Sequence, residues 1–146
     1  MILKNSSLLK DTTFINGKWV AADDGKTFPV TNPFDGSPIG TVPDMGAEET
    51  KAAIRAAAAA FPAWRDKTAD ERATILKKWY TLQMEHLDDL AVLLTTEQGK
   101  PLAEAKGEIR YGASFVEWFA EEARRVYGDV IPGHGKGLRT MTIRQP

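Results

Sequence analysis

The chain has no cysteine among its 146 residues, and its only histidines are His86 and His134. The first absence excludes disulfides, thiolate metal sites and a cysteine nucleophile within the chain. The second excludes a histidine metal cluster, because the two lie far apart in sequence. An excess of charge of one sign is also missing: 19 Lys and Arg face 20 Asp and Glu, for a net charge of -1. A nucleic-acid binder would show a clustered basic face, so that class is set aside. Long apolar runs are absent too. Met1 to Asp11 holds only two short apolar stretches, Met1-Ile2-Leu3 and Leu8-Leu9, and no sustained apolar run. Neither a signal peptide nor a transmembrane segment is expected, and the cytoplasm is the default location. What is present is ordinary for a globular protein, at 42% hydrophobic and 27% charged residues, which argues against disorder. The length suits one domain, and a self-contained domain of this size buries roughly 68–70% of the surface its unfolded chain exposes.

Four zones follow along the chain. Residues 1 to about 45 read as strand and turn. Asn16-Gly17, between Thr13-Phe14-Ile15 and Lys18-Trp19-Val20, predicts a hairpin with a type I′ turn. Asp24-Gly25, Asp35-Gly36 and Pro29, Pro33, Pro38 and Pro43 mark further turns. Phe28 to Thr31 and Ile39 to Val42 read as short edge strands.

The second zone, about 47–98, is helical. Ala47 to Phe61 is alanine-rich, with Glu48 and Glu49 in the first turn, where negative charge suits the helix dipole. Thr68 followed by Glu71 forms a capping box, and Ile75, Trp79, Leu82, Leu90, Leu93 and Leu94 then recur at helical spacing. A bend or break is admissible near His86 to Asp88. Gly99 is expected to end this helix in a left-handed conformation.

The third zone is one long helix from Pro101 to a stop at Gly128. Leu102, Ala105, Ile109, Val116, Ala120, Ala123 and Tyr127 trace a buried stripe; Tyr111, Phe115, Trp118 and Glu122 trace a second. The fourth zone, 129–146, returns to strand: Asp129 to Pro132, a glycine loop, then alternation from Arg139 to Arg144.

Several features invite chemistry. Gly133-x-Gly135-x-Gly137 suggests a phosphate loop, but such a loop must open a helix whose N-terminus faces the phosphate. Here it leads into a strand, and Leu138 stands where the third glycine should fall, so a hairpin loop is expected. Glu104 and Glu108, four apart, share a helix face that reads as solvated. His86, alone in a helical run, reads as exposed or locally hydrogen-bonded. A helix with two apolar faces must bury both or use one. The stripe of Tyr111, Phe115 and Trp118 is therefore a sandwiched core, the wall of a substrate passage, or a partner surface.

Phe14-Ile15-Asn16-Gly17-Lys18-Trp19, Asn32-Pro33-Phe34-Asp35-Gly36 and Ile39-Gly40-Thr41-Val42-Pro43, in that order, resemble the opening of aldehyde dehydrogenases. So do Ala63-Trp64-Arg65, Glu71-Arg72 and Glu97-Gln98-Gly99-Lys100-Pro101 through Ala105. Phe115 to Asp129 is closer still to the succinate-semialdehyde dehydrogenase branch. The likeness runs from about Thr13 to Pro146.

The resemblance implies an α/β fold of opening strands, three helices and a terminal strand pair, with the central nucleotide-binding sheet absent. Residues 1–128 would belong to the coenzyme-binding domain, and 129–146 would start the oligomerisation arm of a homo-oligomer. It implies oxidation of a small aldehyde with NAD or NADP. That reaction goes through a cysteine thiohemiacetal, hydride transfer and thioester hydrolysis. The asparagine of the oxyanion site, the coenzyme contacts, the glutamate base and the cysteine are expected after Pro146. No catalytic or cofactor-binding residue is assigned within this chain, and it is expected to be inactive alone and to bind neither coenzyme tightly. Family members place the third helix beside the substrate tunnel, so Tyr111, Phe115 and Trp118 are the expected lining. Two other readings stay open: a non-catalytic module pairing through its terminal strand, and a product with no stable fold.

Overall fold

A computed structural model describes residues 1–145; Pro146, the last residue of the expected arm, lies outside the described residues. The described residues form four α-helices and three separate two-stranded antiparallel sheets.

The first hairpin joins β1 (Thr13–Ile15) to β2 (Lys18–Val20). Its turn has the expected chemistry: Asn16 and Gly17 both take positive φ, 51° and 77°. Asparagine tolerates that region and glycine prefers it, so the turn twists with the strands. The second sheet pairs β3 (Thr27–Thr31) with β4 (Pro38–Pro43).

Helix α1 (Ala47–Arg65) runs past Phe61, continuing through Pro62 to Arg65. It buries no residue, as its alanine run foreshadows. Helix α2 (Ala69–Glu85) starts on the capping box: Glu71 N–H donates to Thr68 Oγ1 at 3.2 Å and Thr68 N–H donates to Glu71 Oε2 at 2.7 Å. The break admitted near His86 to Asp88 falls at His86, so the helical zone after Thr68 forms two helices and the chain has four. His86, at φ -100° and ψ 14°, closes α2 and opens α3 (Leu87–Gln98). Its N–H donates to Leu82 O, and its own carbonyl accepts from Leu90 N–H. Both half-helices thus keep their bonds across the break, and Asp88 and Asp89 give α3 the acidic first turn a new N-terminus favours. Gly99 ends α3 at φ 73°.

Helix α4 (Leu102–Glu122) stops short of Gly128, giving way to a 3-10 turn at Ala123–Arg125. Gly128 is required for a different reason than helix termination. A Cβ there would stand 1.7 Å from Thr142 O. The base of the last hairpin crosses it, held by Thr142 N–H donating to Asp129 O and Asp129 N–H donating to Thr142 Oγ1. That hairpin pairs β5 (Val130–Pro132) with β6 (Arg139–Met141), so the second strand is shorter than the alternation to Arg144 predicts.

Packing centres on α4, which lies against α2 and α3. The buried apolar residues are Ala73, Ala91, Ala105, Ala113 and Ala120, with Ala22 outside the helices. Small side chains let the helix axes approach closely, but none of the large side chains is fully buried among the described residues. Of the first stripe, Ile109 and Val116 are half-buried, whereas Leu102 and Tyr127 are exposed. Tyr127 falls beyond the helix, where helical spacing no longer places it. The surface reflects this thin core. The chain exposes 10827 Å², against about 7,400 Å² for a self-contained protein of 16.1 kDa. Folding buries a little over half of the unfolded chain's surface, short of the roughly 68–70% a self-contained domain reaches. No helix among the described residues is long and apolar enough to cross a membrane.

Candidate functional site

Helix α4 has two faces. Ala105, Ile109, Ala113, Val116 and Ala120 look toward α2 and α3. At about 100° per residue, Tyr111, Phe115 and Trp118 fall on roughly the opposite side. The structure leaves them exposed, at 66%, 47% and 63%. Nothing within the described residues covers this stripe.

The rings are partly organised. Tyr111 and Phe115, one turn apart, meet edge to face with centroids 4.9 Å apart and planes at 82°. Phe115 and Trp118 line an open recess of about 560 Å³, together with Ser114, Glu117, Phe119 and Glu121. Tyr111 supports Phe115 but does not itself line the recess. Phe119 was missed from the sequence. It is 59% exposed and sits one turn after Phe115, so the spacing that singled out Phe115 also admitted it.

Polar groups at the rim are engaged locally. Ser114 Oγ–H donates to Tyr111 O at 2.7 Å, a bond within the helix. Glu121 receives Lys77 of α2 at 2.6 Å. The hydrogen bond and charge of Lys77 hold the Glu121 carboxyl below the usual carboxylate range. Glu121 thus fixes the rim to α2. Glu122 pairs with Arg125 at 2.6 Å. The lining contains no histidine. The recess is an open aromatic surface with acidic edges.

The other candidates resolve as structural. Gly133, Gly135 and Gly137 form the loop between β5 and β6, with Leu138 N–H donating to Gly135 O and Gly137 at φ 82°. A Cβ on Gly133 would stand 2.4 Å from Leu138 Cβ, so that glycine is needed for the turn itself. No helix opens there, and the sheets among the described residues are all antiparallel pairs. This loop lacks the strand–turn–helix form that a dinucleotide phosphate site requires. Glu108 pairs with Lys100, and Glu104 is exposed. No cluster of three or more His, Asp or Glu able to hold a metal occurs among the described residues.

Comparison with known proteins places this arrangement. The chain is 60% identical over 146 residues to an NADP(+) succinate-semialdehyde dehydrogenase of Escherichia coli K12, covering 100% of this chain and 30% of that protein. It is 59% identical to a glutarate-semialdehyde dehydrogenase of Pseudomonas putida KT2440, with the same coverage. Its backbone matches an aldehyde dehydrogenase crystal structure from Brucella melitensis biovar abortus at a TM-score of 0.98 and 56% identity, over 100% of this chain and 30% of that one. The chain thus spans about 30% of the length of the relatives it matches. With residues 19–146 carrying the sequence pattern of the aldehyde dehydrogenase family, the chain belongs to that family.

Proposed function

We propose that this chain is the opening portion of an NAD(P)-dependent enzyme that oxidises a small aldehyde bearing a carboxylate, and that the aromatic face of α4 forms one wall of the substrate's path. The observation that carries this reading is the recess at Phe115 and Trp118, left open on a helix whose other face is packed. The related enzymes named for succinate and glutarate semialdehydes support the substrate class: both compounds carry an aldehyde at one end and a carboxylate at the other. In this reading residues 1–128 contribute to the coenzyme-binding domain, 129–146 begin an oligomerisation arm, and the enzyme works in the cytoplasm as a homo-oligomer.

Within it, this chain's residues position and guide. Tyr111 steadies Phe115, Phe115 and Trp118 give the aldehyde's carbon chain an apolar surface, and Glu121 with Lys77 fixes the rim. Covalent capture of an aldehyde as a thiohemiacetal requires a thiolate. The chain has no cysteine, so the reacting groups and the coenzyme site come from the rest of the enzyme.

A chimera tests this: the chain continued by the remainder of the E. coli relative. It is expected to oxidise succinate semialdehyde with NADP+. Phe115→Ala and Trp118→Ala in that chimera should raise KM more than they lower kcat. Kinetics unchanged by both substitutions would remove the aromatic wall from the account.

A second reading rests on the last hairpin. Every residue of β5 and β6 is exposed, with Val130 at 69% and Met141 at 74%. Open strand edges of this kind add to other sheets. The chain would then act as a non-catalytic module pairing with full-length subunits. Failure to co-purify with a co-expressed full-length relative would count against it.

A further inference from the structure

The first nine residues precede every element the aromatic site uses, yet they have structure of their own. Asn5 caps a short turn at Ser6–Leu8: its Oδ1 accepts from Ser7 N–H at 3.1 Å and from Ser7 Oγ at 2.6 Å. Leu3 and Leu8 are half-buried. A terminal segment stays ordered only where something ties it down.

The tie is in the first turn of α3. Asp89 Oδ1 accepts from Lys4 N–H at 2.9 Å, and Asp89 Oδ2 accepts from Asn5 N–H at 2.8 Å. Each carboxylate oxygen takes one amide. Asp89 is the buried charged side chain among the described residues, only 5% exposed. A buried carboxylate must be matched by donors, and here two successive backbone amides supply them. Beside it, Asp88 joins Lys4 Nζ at 3.3 Å to Lys106 of α4 at 2.8 Å. That pair is open to solvent, with Lys4 82% and Asp88 53% exposed. Exposed pairs of this kind are screened and contribute little. Burial and geometry therefore assign the hold to Asp89.

We propose that Asp89 is a latch that fastens residues 1–9 as a strap across the α2–α3 break, with each carboxylate oxygen holding one amide of the strap. Asp89 is a positioning residue in this role, acting on the strap's backbone. The number of free carbonyl-type oxygens at position 89 then sets how many amides are held: two for aspartate, one for asparagine, none for alanine.

Hydrogen exchange of individual amides in the full chain reads this directly. In the parent protein the Lys4 and Asn5 amides are expected to exchange slowly, because both are hydrogen-bonded to Asp89. Asp89→Ala should speed both by about tenfold or more, the scale expected when a bond to a charged acceptor is lost. Asp89→Asn should release one and keep the other, which provides the readout if the alanine variant does not fold. Asp88→Asn should leave both protected, and the amides of α2 and α4 should be unchanged in all three. Trypsin should likewise cut faster after Lys4 in Asp89→Ala only. Retained protection of both amides in Asp89→Asn and Asp89→Ala would overturn the latch. So would release of both by Asp88→Asn.

Discussion

Gly128 carries a constraint that belongs to a single atom. Any side chain there drives a Cβ into Thr142 O, and the hairpin base must open to relieve it. Gly128→Ala should destabilise the fold by about 1–3 kcal/mol or more, as overpacking does. Urea unfolding followed by circular dichroism checks this, and an unchanged midpoint would contradict the close approach. Asp89 makes a second prediction at this scale. The amides of Lys4 and Asn5, with the charges of Lys4 and His86 nearby, hold its carboxyl below the ordinary value. Asp88, the preceding residue on α3, is itself paired with Lys106 of α4. A carboxyl with a depressed folded-state pKa contributes stability at neutral pH and loses it as pH falls through that lowered value. Strap protection should thus persist through the pH range in which free carboxylates protonate, about 4, and disappear only below it. Loss of protection already near pH 6 would contradict the assignment of the hold to Asp89. Thr68 and Glu71, three residues apart, were legible in the sequence because their chemistry is local. The need for glycine at 128 was not, because it is set by a residue on the far strand of a hairpin.

At the scale of elements, α4 separates stability from contact. Its alanines pack; its aromatics do not. Phe115→Ala and Trp118→Ala should change the stability of this chain by no more than about 0.5 kcal/mol, the range for surface substitutions. Ala113→Leu, by contrast, should cost about 1–3 kcal/mol, because Ala113 is 1% exposed between helices. Equal losses from both kinds of substitution would mean that the aromatic face is buried in solution. Periodicity disclosed both faces of this helix, since 3.6-residue spacing is written directly in the sequence. It did not disclose which face was covered, because that depends on what lies opposite. The break at His86 was visible only as an option: backbone bonds continue through it, so no glycine or proline marks the place.

For the whole molecule, the surplus of roughly 3,400 Å² of accessible surface over a self-contained protein of this mass is the governing fact. Exposed large apolar side chains contribute to it, and contiguous apolar patches mark contact surfaces. Ile75, Trp79 and Leu82 on α2, like the rings of α4, are open. The isolated chain should bind an apolar dye while keeping its helical spectrum, and its apparent mass should rise with concentration. A dye-free monomer at all concentrations would show that the surface is covered in some way the structure does not contain. Composition foretold a globular chain but not this deficit, because alanine counts as hydrophobic yet fills little volume. The family likeness was legible in the order of short motifs.

In the proposed reading, the aromatic face of α4 guides a ligand and the groups that react lie elsewhere in the enzyme. The most direct test is aldehyde-dependent reduction of NAD+ or NADP+ by the pure 146-residue protein. No turnover is expected with either coenzyme, even with succinate semialdehyde in excess. Measurable turnover that follows the chain through purification would contradict that reading.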